Sequence, residues 1–491
     1  MRTQIFTSPA WACLSLAAVG LSLVCSHAQS PRVSIALDAS KTFQTVDRFG
    51  VNINPAQWHD GKLKPALDLL IDDLGCTQFR LDPTGLAKWL DPAKRLPDGH
   101  YPPEYLEQVY TSKVFHDAWA TFRALNAKVV KPFLNASGHI PPGLGRADDP
   151  KRLADFDGYA EMVVTMTKWA RDREHLEFAM LAPFNETDLG FPEGPKIALE
   201  DTVSAVGAIM KRLDEHGLSD VRLILMDDAG PWRERINLIL KQDSWAKRVA
   251  VFGFHGYGDG DDGDSNGWSG AYGHMVEAVR SSAFSDSAVW MTEYGDLDQT
   301  GLVEREIGWR SSRRILKLLN QGLSAGLVWD AFDNFHEHDA AWSTYGLLAT
   351  DTNSWKYTPK PRFFAAKQIF RFVRPGFLRA TVSPEPPAAK SDPYASYRDP
   401  FRHLLVCGFV SPDRKDFSVV GMSRLEVPCE FDVRVTGLDP ESSTKPVYCY
   451  ETTDKNLCRS DARLAMKDFI VNAKISPRAI FTLSTLKLQP K

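Results

Sequence analysis

Two stretches of this 491-residue chain end an apolar run on a carboxylate. Phe178 to Phe184 is followed by Asn185 and Glu186, and Ala288 to Met291 leads through Thr292 to Glu293. A short apolar run reads as a buried strand. Each Glu is therefore expected at the C-terminal end of a strand, where a sheet core opens to solvent. Two carboxylates so placed suit the hydrolysis of a glycosidic bond. One attacks the anomeric carbon while the other protonates the leaving oxygen, and retention of configuration needs them about 5 to 5.5 Å apart. On this reading Glu186 is the acid/base and Glu293 the nucleophile. Glu186 must then be protonated at working pH, through an apolar setting or the nearby charge of Glu293. Either Glu alone could be a surface or capping carboxylate; the pairing carries the reading.

Other polar residues fall at comparable strand ends. Asn185 precedes the acid and could bind a sugar 2-hydroxyl; the formal sequon Asn185-Glu186-Thr187 would put a glycan in the cleft and is the poorer reading. Arg80, inside Phe79-Arg80-Leu81, is a cation in an apolar run and needs a carboxylate. Glu293 is the expected partner, with Asp82 or Asp228 as alternatives. Tyr257 could hold a nucleophilic carboxylate, and His255 could line the same subsite, unless each is a satisfied core residue. Trp329 offers a flat floor for a sugar ring and Asp330 an acceptor for hydroxyls. Asn54, Asp227 and Trp232 are weaker candidates of the same kind. Asp259–Gly267 resembles the first half of a calcium loop, but Gly273 stands where the bidentate Glu belongs. A flexible acidic loop is the better reading, and neither a metal nor a cofactor is expected.

The elements that must position these residues alternate. Strands are expected at Arg48–Asn54, Thr77–Asp82, Ala127–Asn135, Glu177–Glu186, Val221–Asp227, Val249–Tyr257, Ala288–Glu293 and Ala325–Phe332. Helical stretches lie between them: Leu63–Leu74, Ser112–Leu125, Leu153–Asp172, Ile197–Gly217, Pro231–Lys241, Gly273–Ser281 and Glu304–Gln321. Such alternation predicts an α/β fold, a (β/α)8 TIM barrel over 48–372. An open doubly wound sheet is disfavoured, because no Gly-x-Gly-x-x-Gly turn follows the first strand. After Pro375-Gly376 short alternating segments follow, so a C-terminal β-sandwich side domain is expected over 373–491. The segment 29–47, with strand Val33–Leu37, could join it. Pro384–Asp399 reads as an exposed loop.

A net charge of −4 with no basic cluster gives nucleic-acid binding no electrostatic support. Arg2, the apolar run Ala10 to Val24 and Ser26-His27-Ala28 have the order of a secretory signal over 1–28. The expected location is therefore secreted or periplasmic, with no membrane association after its removal. Oligomeric state is not legible. In an exported chain, Cys407, Cys429, Cys449 and Cys458 suggest two disulfides. The spacing favours Cys449–Cys458 with Cys407–Cys429, although three connectivities are open. A zinc site lacks the Cys-x-x-Cys spacing it would need, and Cys76 reads as a buried thiol.

The Asn185-Glu186 pair and Thr292-Glu293-Tyr294-Gly295 resemble the acid/base and nucleophile motifs of clan A glycoside hydrolases. Arg80, the His255-x-Tyr257 pair and Trp329 resemble that clan's residues on its second, sixth and eighth strands. Within the clan, Phe43-Gln-Thr-Val-Asp-Arg-Phe-Gly50 and Phe370-Arg-Phe-Val-Arg-Pro-Gly376 are similar to glycoside hydrolase family 30. Arg48 departs from the Gly usual there, and family 39 is the alternative. The resemblance implies a retaining mechanism on β-linked sugars. It also implies a carbohydrate partner such as xylan, β-1,6-glucan or β-1,6-galactan, with family 30 glucosylceramidases making a lipid glycoside the less favoured choice. A non-catalytic carbohydrate-binding protein on the same scaffold is the alternative function, and a metal-dependent barrel hydrolase a third.

Overall fold

Strands that are apolar on both faces need cover on both sides, and in the computed structural model they obtain it by closing into a ring. The structure describes residues 30–488 apart from 84–89, 179, 191, 231–232, 258–267, 301–302, 337–340 and 384–403. The expected export signal, Trp232, the acidic loop Asp259–Gly267 and the loop Pro384–Asp399 lie outside the described residues. After β1 (Arg32–Thr45) come the eight strands of a closed parallel barrel. They are β2 (Arg48–Ile53), β3 (Gln78–Leu81), β4 (Phe133–Asn135), β5 (Met180–Ala182), β6 (Arg222–Asp228), β7 (Val249–Gly256), β8 (Ala288–Tyr294) and β9 (Ala325–Val328). β2 pairs with β9, Arg48 opposite Ala325, and so seals the ring. Helices on the outside bury a stripe against it, for example Phe156–Asp172, whose N-cap Asp155 accepts from Gly158 N. Among the described residues no helix is long and apolar enough to cross a membrane.

Several expected boundaries shift, for local reasons. The strand expected over Ala127–Asn135 begins only at Phe133, because the helix Lys113–Ala127 runs further and Val129 turns at φ 62°. The strand expected over Glu177–Glu186 keeps its ladder only from Met180 to Ala182. Pro183 has no N–H to donate, and the chain then swings to φ 43° at Glu186. The expected helix Ile197–Gly217 is Thr202–Glu215, and Leu63–Leu74 divides into Lys64–Asp68 and a π-helical turn, Leu69–Leu74. The helix Pro103–Tyr110 was not expected. Nor were two hairpins after the barrel, β10 (Phe335–His336) with β11 (Ala341–Trp342) and β12 (Leu348–Asp351) with β13 (Lys356–Pro359).

The side domain is one mixed ten-stranded sheet. It contains β1, β14 (Leu378–Ser383), β15 (Leu404–Val410), β16 (Phe417–Ser423), β17 (Cys429–Thr436), β18 (Val447–Thr452), β19 (Leu457–Leu464), β20 (Met466–Lys467), β21 (Ile470–Ile475) and β22 (Ile480–Ser484). β1 lies between β14, antiparallel, and β17, parallel. Phe431 on β17 and Phe481 on β22 are five places apart in the strand order, yet their rings meet at 5.3 Å. The sheet is therefore folded over on itself, and its two layers enclose one apolar core in the manner of a sandwich.

The expected disulfides are absent: none joins the five described cysteines. Cys407 packs into the core shared with the barrel and Cys429 into the side-domain core. Cys449 lies in that side-domain core, while Cys458 packs with Phe372 and Tyr450. Each expected pair is thus divided between two apolar clusters. Cys76 is buried, as the sequence suggested, and burial raises its thiol pKa well above the ordinary value.

Candidate active site

The C-terminal ends of five barrel strands deliver charged or amide side chains to one place. Arg80 comes from β3, Asn185 and Glu186 from the turn after β5, Asp227 from β6, His255 from β7 and Glu293 from β8. The turn after β5 is tied down by its own backbone: Glu186 N donates to Asp227 O at 2.8 Å, and Leu189 N and Gly190 N donate to Glu186 O. Thr187 Oγ1 donates to Asp228 Oδ1 at 2.6 Å, and Arg235 pairs with the other oxygen at 3.1 Å. These fastenings hold Glu186 and Asp227 (φ 62°) in left-handed backbone, which side-chain-bearing residues seldom adopt. Gly253 makes room beside them. A Cβ there would come within 2.8 Å of Asp227 Oδ1.

Arg80 is the centre of the cluster. Nη1 donates to Glu293 Oε1 and, at 2.8 Å, to Asn52 Oδ1; Nη2 donates to Asn185 Oδ1 and, at 3.0 Å, to Asp227 Oδ2. The other Glu293 oxygen accepts from Tyr257 OH at 2.5 Å. His255 Nδ1 stands between the two glutamates, 2.7 Å from Glu186 Oε1 and 3.4 Å from Glu293 Oε2, with Nε2 3.7 Å from Asp227 Oδ1. Glu186, His255 and Glu293 each present an atom within 4.8 Å of the others. Both glutamates are buried, and His255 and Asp227 have no exposed surface.

Buried charges in contact set one another's protonation. Burial works against the charge on Arg80, but Glu293 and Asp227 more than offset it and raise its pKa. Burial would also raise Asp227; Arg80, His255 and Thr292 outweigh it and bring Asp227 down to about 2. His255 is penalised by burial and favoured by Glu293, Asp227 and Glu186, and its pKa stands well above an ordinary imidazole's. Glu293 is raised by burial and by the Glu186 charge, with His255, Arg80 and Tyr257 pulling the other way.

The structure brings together Arg80, Asn185, Glu186, His255, Tyr257 and Glu293. Asn185 Oδ1 is taken by Arg80 and its Nδ2 donates to Glu193 O at 2.9 Å, which leaves one amide hydrogen for a ligand. Trp329 is half-buried at the end of β9 and packs at 5.4 Å from the His336 ring. Asp330 is buried beneath it and accepts from Asn334 Nδ2 at 2.7 Å, so it holds the loop. Asn54 caps Ala56 N and gives both amide hydrogens to protein, at Asn334 Oδ1 and Phe335 O. Sequence reasoning did not single out Asn52 and Thr292, which position Arg80 and Asp227. Asn52 Nδ2 donates to Thr292 O at 3.1 Å, and Thr292 Oγ1 donates to Asp227 Oδ1. The available signal was an amide inside the apolar run Val51-Asn52-Ile53.

Solved structures share this arrangement of barrel and side sheet. A GH30 endoxylanase from Clostridium papyrosolvens C71 superposes at TM-score 0.65 with 15% identity, covering 92% of this chain and 99% of that one. The fold is that of the clan A glycoside hydrolases. An endo-β-1,6-glucanase matches at TM-score 0.63 with 13% identity over 92% and 94% of the two chains. A GH39 β-xylosidase from Caulobacter crescentus matches at 0.57 with 17% identity over 93% and 100%. These neighbours support the resemblance to family 30. No family profile and no curated relative matches the sequence.

Proposed function

We propose that the chain is a retaining β-glycosidase acting by double displacement, with Glu293 as nucleophile and Glu186 as acid/base. The observation that carries this reading is the approach of the two carboxylates within 4.8 Å around one buried imidazole, the short separation that a covalent glycosyl intermediate requires. Arg80 and Tyr257 engage the two Glu293 oxygens and fix the line of attack. As a Glu293 oxygen bonds to the anomeric carbon, the bond to the leaving oxygen breaks and Glu186 gives that oxygen its proton. Glu186 then takes a proton from water, whose oxygen displaces Glu293. His255, hydrogen-bonded to Glu186, orients the carboxyl. Asn185 presents its remaining amide hydrogen to a sugar hydroxyl.

The substrate we propose for this exported protein is a plant or microbial β-linked polysaccharide or oligosaccharide, of xylan, β-1,6-glucan or β-1,6-galactan type. Export belongs to the same proposal. A polymer is favoured by the hairpin that follows Trp329: Phe335 and Trp342 face each other across its strands, and both are exposed. Phe335 O is tied to Asn54 beside the barrel mouth, so both rings offer faces for sugars beyond the catalytic pair.

The test is product analysis on these three glycans, with the anomer released followed by NMR. β-Anomer as first product is expected, together with loss of turnover in Glu293→Gln by at least about a thousandfold. Azide should partly rescue Glu186→Ala on activated aryl glycosides and give a β-glycosyl azide. Undiminished hydrolysis by Glu293→Gln, or an α-anomer as first product, overturns the assignment.

A further inference from the structure

Two imidazoles and a carboxylate also gather away from the barrel mouth. Glu161, 1% exposed, projects from the helix Phe156–Asp172. Its Oε1 lies 3.1 Å from His100 Nδ1 and its Oε2 lies 3.0 Å from His216 Nε2. The three residues offer ligand atoms within 4.8 Å of one another, and the two rings stand edge to face at 5.5 Å. His216 follows the last turn of the helix Thr202–Glu215, and His100 belongs to the segment between β3 and the helix Pro103–Tyr110. Three elements distant in sequence thus converge on one carboxylate.

Arg212 is the near cation, with Nε 3.3 Å from Glu161 Oε2, and its Nη1 is shared with Glu215 at 3.1 Å. Lys211 also pairs with Glu215, at 3.0 Å, so with both imidazoles neutral Glu161, Glu215, Arg212 and Lys211 sum to zero. Hydrogen bonds from His100 and His216 would account for the contacts alone. The spacing also suits an ion: ligands at zinc distances of about 2.0 to 2.2 Å stand roughly 3.3 Å apart in a tetrahedron. The two imidazole nitrogens stand 3.1 and 3.0 Å from the carboxylate oxygens, close to that spacing. Two imidazoles with a carboxylate select zinc-class ions over the hard, oxygen-seeking calcium and magnesium. The His100 side chain, 44% exposed, leaves an entry path and a position for water.

We propose that His100, Glu161 and His216 form a binding site for a divalent transition-metal ion of the zinc class, which pins the segment carrying His100 to the two helices. The proton on each ligating nitrogen leaves when the ion binds. The site shares no residue with the glutamate pair, so the proposal stands independently of the glycosidase reading.

The test strips the full-length protein of metal, adds Zn²⁺, removes the excess by gel filtration, and measures retained zinc and Tm. One zinc per chain and a rise in Tm of about 2–4 °C are expected for the wild type. His100→Ala and His216→Ala should each lose both, while Glu293→Gln should keep the zinc, which separates this site from the one at the mouth. Should His216→Ala fail to fold, His100→Ala carries the test, because its ring is half exposed. No retained zinc in the wild type, or equal retention in His100→Ala, overturns the proposal.

Discussion

At the barrel mouth His255 is wholly buried between two carboxylates, whereas His100 beside Glu161 keeps much of its ring in solvent. The mouth cluster is delivered by strand ends. A strand held in a closed ladder on both sides cannot shift its last residue without disturbing its neighbours, and Arg80 spends four contacts fixing the acceptors around it. Its geometry is set by the fold itself, as the proposed catalysis would require. The outer cluster is delivered by helices and a connecting segment, and its parts hold mainly one another. The same residue types therefore read differently. Where the scaffold fixes every oxygen, a histidine is held between carboxylates; where it does not, the proposed ion would tie the parts together.

The strongest way to break this contrast is to remove the cation. Arg80→Met leaves Asp227 and Glu293 buried without their partner, a cost of about 3–5 kcal/mol, and activity should fall on the order of a thousandfold. The acid limb of the pH–rate profile should move upward, because burial is then less opposed at Glu293. An unmoved limb would show that Arg80 does not set the charge of the pair. Arg80→Lys keeps the charge but loses the fork that reaches Asn52 and Asn185 together, so kcat/KM should lie between wild type and Arg80→Met.

A smaller effect is expected from Tyr257→Phe. It deletes one hydrogen bond to Glu293 and should cost about tenfold to a hundredfold in kcat/KM, with Tm nearly unchanged. Asp227 sharpens the comparison through stability. Its folded pKa, about 2, lies below the ordinary 3.8, so it contributes stability that is fully present above about pH 4. That contribution, about 2 kcal/mol, is lost as pH falls from 4 towards 2. The difference in Tm between wild type and Asp227→Asn should therefore be largest near neutrality and shrink across that window; a constant difference would refute the linkage. The least effect is expected from reductant. Because no disulfide joins the cysteines and each expected pair is divided between two apolar clusters, dithiothreitol should leave Tm within a degree or so, and a large drop would restore the disulfides.

Much of the mouth was legible because strand ends announce themselves. Glu186, Glu293 and Arg80 each interrupt an apolar run, and a charge there must either face a cleft or find a partner. Arg80 finds a partner in Glu293, as expected, and a second in Asp227, whereas the alternatives offered were Asp82 and Asp228. Asn52 and Thr292 were not legible, because their work is to orient other side chains, and a single polar residue within a strand gives no clue to its acceptor. Asp330 and Asn54 show the converse, since polar residues at strand ends can serve only the loops that follow. The cysteines misled because proximity in sequence says nothing of which face of a folded sheet each side chain takes. His100, Glu161 and His216 are scattered over three elements, and no spacing in the chain joins them.

β1 lies inside the side sheet between β14 and β17, and only Val46 and Asp47 separate it from the first barrel strand. During synthesis its two neighbours emerge more than three hundred residues later. Until then it presents two bare edges, a hazard for pairing with other chains. The barrel cannot simply be cut free of the side domain, since any excision strands either this segment or the gap it leaves. Both halves are best expressed, and engineered, as one cooperative body.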